Sequence, residues 1–202
     1  VGPGNGPAYI EKSADVKLAV KRTMDSKTFD NGVICASEQS IIVEKVMKNK
    51  VVQELKNQGA YFLTKEESEK LGKFILRANG TMNPMIVGKS VEVLADMSGI
   101  EIPKGTRVII SEQTTVSKKN PYSREKLTPI LAFYCVEDNK KACEKAKELL
   151  MNEGKGHTFA IHSQDNEIIK EFAKKIPASR ILINTPGTLG GIGGSTNLMP
   201  AL

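Results

Sequence analysis

Ile130-Leu131-Ala132-Phe133-Tyr134-Cys135-Val136 is a continuous apolar run, and Lys140 to Asn152 comes after it with Ala142, Ala146, Leu149 and Leu150 aligned on one side. The run reads as a strand, and Lys140 to Asn152 as an amphipathic helix. His157 to Ile161 is a second strand. Ile169, Phe172, Ala173 and Ile176 then fall at the i, i+3, i+4, i+7 spacing of a buried helix face. Arg180-Ile181-Leu182-Ile183 closes the series as a third strand. Strand and helix in strict alternation predict a mostly parallel sheet covered by helices, joined by right-handed crossovers.

The same alternation extends towards the N-terminus. Pro7 to Ile10 is a short apolar run, and Asp15 to Phe29 reads as a helix with Val16, Ala19, Val20 and Met24 on one face. Ser13 and Asp15 are both candidate caps for its start. Asn31-Gly32 is a turn signal. Ser40 to Val43 is a β-branched strand, Met47 to Asn57 a helix, and Ala60 to Leu63 a strand. Thr64 starts a helix that continues past Phe74. Met85-Ile86-Val87 reads as a short strand, Ser90 to Met97 as a helix and Arg107 to Ile110 as a strand. Thr114 to Glu125 and the glycine-rich Gly187 to Leu202 read as irregular. The expected fold class is α/β: three layers, a mostly parallel twisted sheet with helices on both faces, in one domain over residues 1–202.

A chain of 202 residues can bury a large core without disulfide or metal. No apolar run approaches the ~20 residues of a membrane span, and the start is neither a signal nor a transit peptide. It also lacks an initiator Met, which leads us to expect residues upstream. The net charge is +6, but lysines alternate with acids, as in Lys140 to Glu148, and no basic block is interleaved with aromatics. That excludes a nucleic-acid footprint and leaves a mild field suited to an anionic cofactor. Cys35, Cys135 and Cys143 form no CxxC pair, and the two histidines lack ligand spacing, so no zinc site is expected. An odd cysteine count without a secretory signal points to a reducing cytoplasm.

Two glycine-rich stretches, Gly2 to Gly6 and Gly187 to Gly194, resemble part of a dinucleotide fingerprint. Neither sits between a strand end and a helix start with an acid about 20 residues on, so tight turns are the preferred reading. The informative stretch is Ser26-Lys27-Thr28-Phe29-Asp30-Asn31-Gly32-Val33-Ile34-Cys35-Ala36-Ser37-Glu38-Gln39. A helix ends, a glycine turn comes next, and a cysteine stands just before a strand. A lone cysteine is most often a small buried apolar residue. One in a connection between rigid elements is placed for catalysis. Cys135, inside an apolar strand, and Cys143, on an amphipathic helix, read as inert.

Phe29-x-x-Gly32-x-x-Cys35 resembles the catalytic-cysteine motif of the aldehyde dehydrogenase superfamily, and the run from Ser26 to Gln39 resembles its CoA-acylating branch. The resemblance covers essentially the whole chain. Glu125-Lys126-Leu127-Thr128-Pro129 resembles the segment whose glutamate holds the nicotinamide ribose hydroxyls. Gly156-His157-Thr158 resembles a segment whose histidine lies near the active site. Arg180 to Pro186 resembles the strand and asparagine before the substrate-side loop. The resemblance implies Cys35 and His157 as catalytic residues and Glu125, Gly2 and Gly32 on the cofactor side, with no metal. The implied cofactor is NAD, with NADP left open, and CoA is the co-substrate.

The resemblance also departs from the hydrolytic members. Val33 stands where they carry Gln, and their Glu-Leu-Gly-Gly segment corresponds to Val1-Gly2-Pro3-Gly4, its water-activating glutamate falling just before Val1. Transfer to CoA is therefore the implied outcome: aldehyde to acyl-CoA through a cysteine thioester, reversibly. The alternatives are a hydrolytic aldehyde dehydrogenase that makes a free acid and a non-catalytic scaffold of the same fold. The family pattern places most of the NAD-binding domain before Val1 and a closing segment after Leu202, so these residues alone are expected to be inactive. The expected partners are a small aldehyde and CoA, with no nucleic acid or membrane. The full-length protein is expected to be a dimer or tetramer of identical subunits, in the cytoplasm or inside a bacterial microcompartment.

Overall fold

The computed structural model describes residues 2–200. The strands are β1 (Pro7–Ile10), β2 (Ser40–Glu44), β3 (Ala60–Phe62), β4 (Val108–Glu112), β5 (Ile130–Val136), β6 (Gly156–His162) and β7 (Ala178–Ile183). The helices are α1 (Val16–Thr28), α2 (Lys48–Asn57), α3 (Lys65–Ile75), α4 (Val91–Ser98), α5 (Asn139–Asn152), α6 (Asn166–Lys175) and α7 (Gly187–Gly191). The strands form one seven-stranded sheet in the order β3-β4-β5-β2-β1-β6-β7, with every pairing parallel.

Residue alternation along the central strands builds the two faces. Ile41, Val43, Leu131 and Phe133 face α1 and α2 in one core cluster. Ile42, Ile130, Ala132 and Tyr134 face the other way, into a second cluster with residues of α3, α4, α5 and α6. Both faces are covered, which is why β2 and β5 are apolar without a polar alternation. The expected three-layer α/β class is thereby found.

Helix starts obey local chemistry. Asp15, not Ser13, caps α1, accepting from the Leu18 N–H at 3.0 Å. Thr64 and Glu67 form a reciprocal capping box at α3. Two expectations are corrected. Met85-Ile86-Val87 is not a strand: Pro84–Ile86 is a single 3-10 turn capped by the Asn83 side chain, because Asn-Pro favours turn initiation and the proline has no N–H for a ladder. The tail is not wholly irregular either. Gly187–Gly191 forms the short helix α7, whose first N–H, on Gly187, donates to the buried Glu38 carboxylate at 2.7 Å. A carboxylate at a helix start offsets its positive end.

Candidate active site

The strands β5, β2, β1 and β6 are consecutive neighbours in the sheet. The connections that lead into the amino ends of β5, β2 and β1 carry Glu125, Cys35 and Gly4, and His157 is the second residue of β6. Residues far apart in sequence therefore meet along one edge of the sheet, with adjacent strands ~4.8 Å apart. Ligands of open parallel sheets usually lie at the carboxyl ends; here the chemistry-bearing residues gather at the opposite edge.

The cysteine loop is shaped by backbone geometry. Asp30, Asn31 and Gly32 all have positive φ, at 48°, 49° and 74°. A Cβ on Gly32 would stand 3.0 Å from Lys27 O and from the Thr128 carbonyl. Gly32 thus packs the cysteine loop against the loop that continues from Glu125, and it is buried.

Gly4 is the meeting point. Its N–H donates to Glu125 Oε1 at 2.7 Å. A Cβ there would lie 2.2 Å from Cys35 O and 3.2 Å from His157 Cε1. Only a residue without a side chain lets these three groups converge. Gly2, by contrast, is exposed, with nothing within 4 Å of a would-be Cβ. The close approach of backbone in this segment is made by Gly4.

Cys35 is partly exposed, not sealed in the core. Burial, and next the Glu125 carboxylate, push its thiol up; its own N–H and that of Ala36 pull the other way and are outweighed. The loop amides do favour the thiolate, but desolvation and like charge outweigh them. Glu125 is itself raised by burial, eased by the Gly4 N–H, raised again by Glu153 and eased by Lys27 and Lys126. Its second oxygen makes no hydrogen bond among the described residues, so it is free to accept from a ligand hydroxyl. The Glu125 N–H donates to Glu153 Oε2 at 2.8 Å, and Arg124 pairs with Glu153 Oε1 at 2.9 Å.

His157 Nδ1 lies 2.9 Å from Thr158 Oγ1, and Nε2 is buried without a partner. Burial lowers its basicity. When Nδ1–H donates to Thr158 Oγ1, Nε2 is the unprotonated nitrogen. Asn184, also on a resembling segment, bonds Ser163 through both side-chain atoms at the carboxyl edge of the sheet. It does not join Cys35. Cys135 lies near the carboxyl end of β5, also away from the site.

Beneath the cysteine loop lies a charged layer that the sequence motifs did not single out. Lys27 and Lys126 are fully buried and Glu38 nearly so. Burial drags Lys27 down to about 7 against the pull of Glu38 and Glu125. Burial lifts Glu38 to about 7 against hydrogen bonds from Ser26, its own N–H and the Gly187 N–H. Lys126 is held well below the usual lysine range by burial, and its ammonium donates to Tyr122 O at 2.8 Å and Arg124 O at 2.7 Å. Lys27 had a legible signal: it continues the buried stripe Val16, Ala19, Val20, Thr23, Met24 of α1.

Among the described residues no cluster of His, Cys, Asp and Glu could hold a metal ion, and no helix is long and apolar enough to cross a membrane. The pattern of the aldehyde dehydrogenase family matches residues 2–196. The chain belongs to the aldehyde dehydrogenase family. It is 42% identical to the bifunctional aldehyde-alcohol dehydrogenase of Escherichia coli, over 100% of this chain and 23% of that protein. A probable aldehyde dehydrogenase from Listeria monocytogenes superposes with a TM-score of 0.98 at 61% identity, over 100% of this chain and 44% of that one. An acetylating aldehyde dehydrogenase from Geobacillus thermoglucosidasius does so at 0.97 and 49%, again over 100% and 44%. A propionaldehyde dehydrogenase from Rhodopseudomonas palustris, seen with bound CoA and an acylated cysteine, superposes at 0.88 and 26%, over 99% and 45%. The chain thus spans about a quarter of such bifunctional relatives and under half of the solved aldehyde dehydrogenases.

Proposed function

We propose that residues 1–202 are the cysteine-bearing catalytic domain of a CoA-acylating aldehyde dehydrogenase. The observation that carries this is the convergence on Gly4 of the Cys35 loop, the Glu125 carboxylate and the His157 ring. Relatives named as acetylating, and one with CoA and an acylated cysteine, support the same chemistry.

The residues present fit a nicotinamide cofactor. Glu125 is anchored through one oxygen and offers the other to the ribose hydroxyls. When bound, NAD or NADP supplies the hydride acceptor. Cys35 Sγ, as thiolate, adds to the aldehyde carbon to give a thiohemiacetal, and loss of hydride leaves a thioester on the sulfur. The N–H groups of Cys35 and Ala36 lower the thiol and so favour the thiolate. Glu125 opposes ionisation of Cys35 while its own charge is unmatched, so engaging that carboxylate favours the thiolate. His157 Nε2, neutral because burial disfavours its cation, takes the proton of the CoA thiol as it attacks the thioester. Acyl-CoA leaves and Cys35 is regenerated. The parent protein works as a homo-oligomer in the cytoplasm or a microcompartment.

The test is turnover of the full-length protein with a panel of aldehydes, with and without CoA, beside its Cys35→Ala form. Repeated turnover to NADH that requires both CoA and Cys35 is expected, with at most one NADH per site without CoA. Turnover to free acid without CoA, or unchanged turnover in Cys35→Ala, would refute the proposal.

A further inference from the structure

Gln39 closes the cysteine loop and is fully buried. Its side-chain oxygen is shared by two donors, the Lys126 N–H at 3.1 Å and the Lys27 ammonium at 3.3 Å. Its main chain is also fixed: the N–H donates to Gly6 O at 2.9 Å, and the carbonyl accepts from the Ala132 N–H at 3.1 Å. Lys126 directly succeeds Glu125, and Gly4, just before Gly6 in the chain, holds the Glu125 carboxylate at 2.7 Å. The contacts form a closed ring through Gly4, Glu125, Lys126, Gln39 and Gly6.

Two features make this ring a poor choice for stability alone. With both donors facing Oε1, the amide is oriented, and Nε2 is left buried without a partner. An orphaned buried donor is destabilising. The ammonium of Lys27 is likewise withdrawn from water, and an apolar side chain on the same helical stripe would pack without that penalty. The ring does achieve a fixed separation between the loop of Cys35 and the loop of Glu125.

We propose that Gln39, held by Lys27, is a positioning residue that sets the Glu125 carboxylate relative to the Cys35 thiol and so seats the nicotinamide ribose over the sulfur. This rests on the NAD-dependent reading above.

The test compares Gln39→Met, which keeps the volume and removes the acceptor, with Gln39→Glu, which keeps the acceptor, both in the full-length protein. Gln39→Met is expected to weaken NAD binding about tenfold, read both as the dissociation constant from equilibrium dialysis and as KM for NAD, the equivalent of one lost hydrogen bond. Its kcat at saturating NAD should stay within about threefold of the parent, and Gln39→Glu should restore most of the KM. General destabilisation would do the reverse, lowering kcat with the active fraction and leaving KM alone. An unchanged KM for NAD in Gln39→Met, or a Gln39→Glu form as impaired as Gln39→Met, would overturn the proposal. If Gln39→Met does not fold, Lys27→Met is read by the same split, a raised KM for NAD supporting the proposal and an unchanged one overturning it. A parent without NAD-dependent turnover would instead sink the functional reading, and this inference with it.

Discussion

Replacing Gly4 by alanine puts the proposed site under the sharpest stress. The added Cβ would sit 2.2 Å from the Cys35 carbonyl oxygen, where real Cβ atoms keep at least 3.0 Å, so something must yield by about 0.8 Å. The obstacle is backbone, so no side-chain rotation relieves it. The approach to β1 has to move away from the cysteine loop, and the same motion stretches the 2.7 Å bond from the Gly4 N–H to Glu125 Oε1 beyond hydrogen-bond range. A displacement near 1 Å between reacting groups costs about 100-fold in rate, whereas overpacking of this kind destabilises a fold by about 1–3 kcal/mol. Gly4→Ala should therefore slow thioester formation about 100-fold in a protein that still folds. The assay is the single-turnover burst of NADH from the full-length protein without CoA, with a thermal melt as a folding check. Gly2→Ala is the control, because open space surrounds that position, and its burst should match the parent. A Gly4→Ala burst within about threefold of the parent in a folded protein would refute the claim that this glycine holds the site together.

Three further outcomes rest on the same geometry. His157→Ala should slow acyl transfer to CoA more than thioester formation; an unchanged deacylation rate would remove His157 from the mechanism. Glu125→Gln should speed alkylation of Cys35 by iodoacetamide near neutral pH, because the carboxylate is one of the two causes that raise the thiol; a slower reaction would contradict that. His162 is held down to about 4 by burial and, secondly, by Arg22. Its folded value lies below the unfolded one of about 6.5, so stability is full above 6.5 and lost as pH falls towards 4. The slope is about 1.4 kcal/mol per pH unit from this group. His162→Phe should flatten the acid limb of the stability curve measured by urea melts, and an unchanged limb would exclude His162 as its source.

Much of the fold was legible because local rules and the global fold agree. Apolar runs such as Ile130–Val136 and capped amphipathic stretches such as Thr64–Ile75 form the expected strand and helix. Met85 to Val87 misled because three apolar residues do not make a strand when Asn-Pro stands before them. Cys35, Glu125 and His157 were singled out through motif resemblance, since each stands in a segment whose residue types are distinctive. Gly4 stood in a glycine-rich segment but could not be singled out there, because the close approach a glycine permits depends on the groups opposite it, here from residues 35, 125 and 157. Lys27 could have been found: a lysine on the buried stripe of α1 conflicts with its neighbours, and such conflicts mark functional positions.

The amino-acid order thus determined which segments become strands and helices and which cysteine stands in a loop, because both depend on neighbours within a few residues. It did not determine that β1 lies between β2 and β6. That strand order arises from how two apolar faces are buried at once, and it alone brings the loops before β5, β2 and β1 and the first residues of β6 to one edge. Those loops become a site only through that burial.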